Sequence, residues 1–188
     1  MAKRAQAEVL SSETIYEGPV FGVRRDRVRE PGGVEATRDV VTHPGSVVVL
    51  PAFPDGRILL IRQYRHSARQ FLWEIVAGRK DPGETFEHAA HRELIEETGY
   101  RARRLRKMLD VFPTPGFVEE RMLIFLAEGL TAGEARPEAD EKISARLFPL
   151  REALRWIRTG KIHDAKSVAG ILYYAAFLAK SDTRAKKR

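Results

Sequence analysis

Gly78-Arg79-Lys80-Asp81-Pro82-Gly83-Glu84, followed by Arg92-Glu93-Leu94-Ile95-Glu96-Glu97-Thr98-Gly99-Tyr100, is the stretch on which the reading of this chain turns. Thr85 can cap a helix running over Phe86 to Thr98, and Gly99 can stop it. On that helix Glu93 and Glu97 are i,i+4 neighbours, and Glu96 stands at i+3 from Glu93. Carboxylates at this spacing destabilise a helix by a few tenths of a kcal/mol per pair. Their place near its C-terminal end adds a macrodipole penalty. One account is a solvated acidic face, relieved by Arg92 reaching Glu96. The loop before the helix favours another: Gly78 and Gly83 bracket a tight turn that can carry Glu84 and a backbone carbonyl near Ala77 toward the same acids. An oxygen-only, strongly anionic cluster suits a hard cation such as Mg²⁺ or Mn²⁺, which turns repulsion into attraction.

Outward from this helix, Val20 to Val28 and Val34 to Val41 read as strands about the turn Pro31-Gly32-Gly33. Ser46 to Pro51 and Arg57 to Tyr64 read as two more, joined across Pro54-Asp55-Gly56, with the continuous apolar character of strands covered on both faces. Met122 to Ala127 and Ala145 to Leu150 are further strands. Arg151 to Arg158 and Ala165 to Lys180 are helices, and the greasy run Val168 to Ala179 is too short for a bilayer and is expected to be buried. Strands and helices mix without a regular βαβ alternation, so a mixed sheet between helices is expected and not a Rossmann domain. The expected division is a β-rich N-terminal appendage over 1–44, a main domain over 45–180 and a basic tail over 181–188.

The chain has 188 residues, 43% of them hydrophobic and 31% charged, enough for a real core. It has no cysteine, which excludes disulfides, thiol catalysis and thiolate metal sites and fits a reducing compartment. Lys180, Arg184, Lys186, Lys187 and Arg188 against Asp182 supply four of the seven net positive charges. The excess therefore sits in a tail without apolar periodicity, where aromatic residues to stack on bases are missing, so nucleic acid is not expected as a partner. Met1 to Ser12 lacks an apolar signal region, and a soluble, cytoplasmic protein with no membrane partner is expected.

The spacing Gly, five residues, Glu, seven residues, Arg-Glu-aliphatic-any-Glu-Glu-any-Gly resembles the Nudix box, matched here by Gly78, Glu84, Arg92, Glu93, Leu94, Glu96, Glu97 and Gly99. Tyr100 departs from the aliphatic residue usual there. Roughly Gly45 through Ala179 is similar to the ADP-ribose pyrophosphatase branch: Arg62-Gln63-Tyr64-Arg65, Phe71-Leu72-Trp73-Glu74-Ile75-Val76-Ala77-Gly78, Pro115 within Thr114-Pro115-Gly116-Phe117, and Gly160-Lys161-Ile162-His163-Asp164-Ala165-Lys166.

The resemblance implies an α/β/α sandwich with a mixed sheet and a small N-terminal antiparallel β appendage. It also implies hydrolysis of ADP-ribose to AMP and ribose 5-phosphate with Mg²⁺, or Mn²⁺ in its place. Glu93 and Glu97 are then metal ligands, with Glu96, Glu84 and the Ala77 carbonyl supporting, and Arg92 orients the glutamates. The general base is expected at Glu141, with Glu138 second; Ala139 interrupts the branch's usual acidic pair. Arg65 is expected on the diphosphate, Glu74 on the adenine or ribose, Trp73 as a stacking face, and Phe117 and Glu119 near the terminal ribose. His88 and His91 read as solvated and not zinc-binding. The branch works as a homodimer, a role that Val20 to Val41 fits. Two alternatives stay open: another nucleoside diphosphate sugar or an RNA 5′ end as substrate, and a Nudix module that only senses nucleotides, which would be expected to lack box glutamates.

Overall fold

The computed structural model describes residues 6–136 and 142–179. It divides into two units, the first comprising 1–45 and 111–122, the second 46–110 and 123–188.

In the first unit β1 (Glu8–Glu17), β2 (Gly22–Arg29) and β3 (Glu35–Thr42) form an antiparallel meander in that order. The β2–β3 turn lies at Pro31-Gly32-Gly33, with Gly33 at φ 85°, a left-handed conformation that glycine adopts without cost. Charged residues face one another across the strands: Arg25 meets Asp39 with both carboxylate oxygens, and Arg27 and Arg29 share Glu35. Strand β1 is not anticipated from the sequence. Seven of its ten residues from Ser11 on are exposed in an unbroken run, so no apolar alternation marks it.

The second unit holds β4 (Ser46–Pro51), β5 (Arg57–Arg65), β6 (Gln70–Glu74), β7 (Val76–Arg79), β8 (Arg101–Val111), β9 (Met122–Thr131) and β10 (Ile143–Pro149). Some strand ends run into the first unit's segment. The sheet orders are β7-β4-β9-β8 and β10-β5-β6. All six residues of β4 are buried, as its uninterrupted Val and Leu content demands of a strand covered on both faces. Strand β8 also escapes sequence reading. It lies at the edge of its sheet and is studded with Arg and Lys, a composition that discourages pairing with another edge.

Helix α1 (Phe86–Thr98) packs on β4 and β7, α2 (Leu150–Arg158) on β10 and on α3 (Ala165–Phe177), and α3 on β4. Val47, Val49, Leu59, Ile61, Val76, Ala89, Ala90, Leu94 and Phe125 make a common core between α1 and the strands. The mixed α/β class and mixed sheet expected from the sequence are what the chain adopts. Helix α3 differs from the expected buried helix: only Ser167, Gly170 and Ile171 are buried along it, and Leu172 and Phe177 are exposed. No helix among the described residues is long and apolar enough to cross a membrane.

Candidate active site

Thr85 accepts a hydrogen bond from the His88 N–H at 3.2 Å, and Gly99 closes α1 at φ 73° with its N–H on the Ile95 carbonyl. Both caps sit where the sequence places them. This fixes the phase of the helix, and with it the acidic turn. Leu94, Ala89 and Ala90 face the core, which turns Glu93, Glu96 and Arg92 to the partly exposed side. Glu97 alone among the three box-end glutamates is buried, at 4% exposure. Its Oε2 accepts the Ala77 N–H at 3.3 Å.

Arg92 organises the rest. Its Nη1 donates to Glu93 at 2.7 Å and to Glu96 at 3.0 Å. Its Nε and Nη2 meet the two oxygens of Glu84 at 3.1 and 3.0 Å, and Nη2 also donates to the Arg79 carbonyl at 3.0 Å. A planar fork with five N–H groups suits this task, where a lysine would meet one carboxylate at a time. The acids raise the Arg92 pKa, Glu84 foremost. Glu84 in turn accepts from Arg92, from the Asp81 N–H at 3.1 Å and pairs with His88 Nδ1 at 2.7 Å. Chiefly through Arg92, its carboxyl is pulled down to about 2 from 4.5.

That shift sets a pH dependence. The folded pKa lies below the unfolded one, so the stability Glu84 contributes is complete above about pH 4.5 and disappears as pH falls toward about 2. Melting temperatures measured across that window should fall more steeply for the wild type than for Glu84→Gln.

Gly78 matters by what it lacks. A Cβ there would stand 1.9 to 2.3 Å from the carboxylate atoms of Glu93, a spacing that forces the side chain away. Gly78→Ala is expected to lower kcat about a hundredfold through displacement of Glu93 by roughly an ångström, with the fold intact by circular dichroism.

Among the described residues no three acidic or histidine side chains already converge as a metal cage. The donor set nevertheless fits a hard cation: Glu93, Glu96, Glu97 and Glu84 present oxygen alone, beside the β7 backbone at Ala77 and Gly78, with no soft ligand.

A second constellation lies at the end of β5 and β6. Glu74 has 0% exposure. Arg65 grips it with two hydrogen bonds, Nε at 2.9 Å and Nη2 at 2.7 Å, and Lys166 donates to the same carboxylate. Burial pushes the Glu74 carboxyl up, yet the two cations outweigh it and hold the carboxyl below its ordinary range. Glu74, expected on the adenine or ribose, has no exposed surface, and both its oxygens engage protein cations. Arg65 keeps about a third of its side chain exposed. Lys166, to which the sequence alone attaches no role, belongs to this cluster. It stands 92 residues from Glu74, a separation no local pattern bridges. Trp73 packs edge-on to Phe148 and against Trp156, centroids 5.1 and 5.5 Å away.

In the first unit Pro115 lies in an exposed turn where the Val118 N–H donates to the Thr114 carbonyl at 3.0 Å. Phe117 is exposed, and Glu119 pairs with Arg24. Glu138 and Glu141, the candidate bases, lie outside the described residues.

Comparison with known proteins identifies the family. A NUDIX domain is matched over residues 42–170, and the nucleoside diphosphate sugar hydrolase N-terminal domain over residues 8–41. The chain is 35% identical over 91% of its length to an ADP-ribose pyrophosphatase of Bacillus subtilis strain 168, covering 94% of that protein. It is 39% identical over 88% of its length to an ADP-ribose pyrophosphatase of Mycobacterium tuberculosis, covering 81% of it. The crystal structure of an ADP compounds hydrolase superposes with a TM-score of 0.79 at 23% identity, over 90% of this chain and 92% of that one. At that identity the superposition speaks for the fold alone. With a matched NUDIX domain and a matched N-terminal domain, the chain belongs to the Nudix hydrolases of nucleoside diphosphate sugars.

Proposed function

We propose that the protein hydrolyses the pyrophosphate bond of ADP-ribose to AMP and ribose 5-phosphate, with Mg²⁺ as its cofactor and Mn²⁺ as a substitute. The observation that carries this is the acidic cluster on α1 and in the turn before it: four box carboxylates, three of them drawn together by Arg92, beside the β7 backbone. The names of the two relatives support the choice of substrate.

Glu93 and Glu97 would hold the cation, with Glu96, Glu84 and the Ala77 carbonyl as further oxygen donors. When bound, the cation neutralises phosphate oxygens and lowers the pKa of a water. The protein supplies the rest. Arg92 keeps Glu84, Glu93 and Glu96 oriented and offsets their mutual repulsion. Arg65 places a permanent positive charge for the diphosphate. Water attacks one phosphorus and the bridging oxygen leaves with the other phosphate, so the products are two monophosphates. A carboxylate must take the proton, and Glu141 is the residue proposed.

Val9, Ile15, Tyr16, Phe21 and Val34 are large apolar side chains left exposed in the first unit. They support a homodimer formed through that sheet, which light scattering on eluted protein tests directly.

The decisive experiment is an HPLC screen over ADP-ribose, other sugar nucleotides, NADH, nucleoside triphosphates and 5′-triphosphate RNA, with Mg²⁺ and then Mn²⁺. ADP-ribose is expected to give AMP and ribose 5-phosphate. Turnover of RNA without turnover of ADP-ribose would overturn the substrate assignment.

A further inference from the structure

The first turn of α3 touches the second constellation at three points. Asp164 caps the helix, accepting from the Ser167 N–H at 3.0 Å and from its hydroxyl. The Ser167 oxygen accepts the Ile75 N–H at 2.9 Å, and Ser167 itself is 0% exposed. Lys166, 13% exposed, donates to Glu74 and lies 2.9 Å from Asp164. Two consecutive residues, Glu74 by its side chain and Ile75 by its backbone, are thus fastened to one helical turn. Two residues on, Ala77 is fastened to Glu97 from the other side.

The charges in this cluster are two and two: Arg65 and Lys166 against Glu74 and Asp164. Glu74 uses two of the five N–H donors of Arg65. If Glu74 were neutralised by Arg65 alone, the pair would present little net charge to an incoming anion. Lys166 shares the buried carboxylate, so Glu74 is met by two cations and draws less on the charge of Arg65.

We infer that Lys166 is a positioning residue for the diphosphate: through the buried carboxylate of Glu74 it fixes the orientation of Arg65 and preserves its positive field. The inference rests on the reading of Arg65 as the cation that meets the diphosphate. Lys166 touches no substrate in this arrangement, and its influence runs through Glu74. Asp164 draws on the same ammonium and works in the opposite direction.

The test is steady-state kinetics on the full chain with Mg²⁺ and ADP-ribose, or whichever nucleoside diphosphate sugar is turned over fastest in the screen. Lys166→Met keeps the stem and removes the charge. Its KM is expected to rise about tenfold with kcat changed less than about threefold, because a field acting on bound substrate and transition state alike appears in KM. Asp164→Asn keeps a capping oxygen and removes the competing charge, and its KM is expected to stay level or fall. In an Arg65→Gln background the Lys166→Met effect is expected to shrink to less than about twofold. If Lys166→Met does not accumulate as folded protein, Lys166→Gln, which retains a donor for Glu74, takes its place with the same expectation.

A rise in KM of equal size with and without Arg65 would overturn the inference, as would a parallel rise in Asp164→Asn. If Arg65→Gln raises KM and Lys166→Met does not, the inference fails and the reading of Arg65 stands. If Arg65→Gln leaves KM unchanged, both fail.

Discussion

Glu97→Gln is expected to fold as the wild type does and to lose about three orders of magnitude in kcat, since under the proposed function it removes a ligand to a cation that contributes several kcal/mol of transition-state stabilisation. The two halves of this expectation come from the same geometry. Glu97 is buried, and its Oε2 receives the Ala77 N–H. An amide oxygen can accept that bond as well as a carboxylate can, so packing and hydrogen bonding persist. Removing one of several like charges from the last turns of α1 also relieves repulsion. The melting temperature should therefore hold or rise slightly while activity collapses. Equal turnover by wild type and variant would sink the assignment of Glu97 to the metal. A collapse of activity together with a fall of many degrees in melting temperature would show the residue to be structural.

Glu74→Ala has its largest effect on stability. Removing the anion leaves Lys166 almost buried beside Asp164 alone and strips Arg65 of both its carboxylate bonds. Breaking a buried pair from one side costs about 3 to 5 kcal/mol, and the lower end applies because Arg65 can turn to water. For a chain of this length that corresponds to a fall in melting temperature of roughly 6 to 12 °C by calorimetry. Lys166→Met should cost less, since the Glu74–Arg65 pair survives it. Should Glu74→Ala melt within a degree or two of the wild type, the quartet contributes nothing to the fold, and its value would have to lie wholly in ligand binding.

The elements legible in the sequence are those whose signals are local. Thr85 and Gly99 announce the ends of α1, and the glycine-bracketed turn announces where β7 hands over to it. The run Ser46–Pro51 announces a strand buried on both faces, and its bounds in the structure are the same. Strands β1 and β8 are illegible because nothing in them alternates: they are held by neighbours across the sheet, β1 is almost wholly exposed and only Met108 of β8 is buried. The site divides the same way. Box residues Arg92, Glu93 and Glu96 lie within little more than one turn of a single helix, and Glu84 sits in the turn just before it, so a short stretch of chain brings them together. The partnership of Glu74 with Lys166 depends on how α3 lands on the β6–β7 junction. Chain topology decides that, and no short pattern carries it. The burial of Glu74 has the same cause, since it is a property of the assembled unit.

Arg92 places a fixed positive charge inside the acidic cluster. A cation that is part of the chain already holds Glu84, Glu93 and Glu96 together, so the fold has its own counter-ion and does not have to borrow one from solution. Folding and metal uptake are then separate equilibria, unlike those of small domains that collapse only around their ion. Protein treated with a chelator should keep most of its melting temperature, and readdition of Mg²⁺ should restore turnover within mixing time. The enzyme's output would follow the free cation concentration of its surroundings, reversibly and without a refolding step.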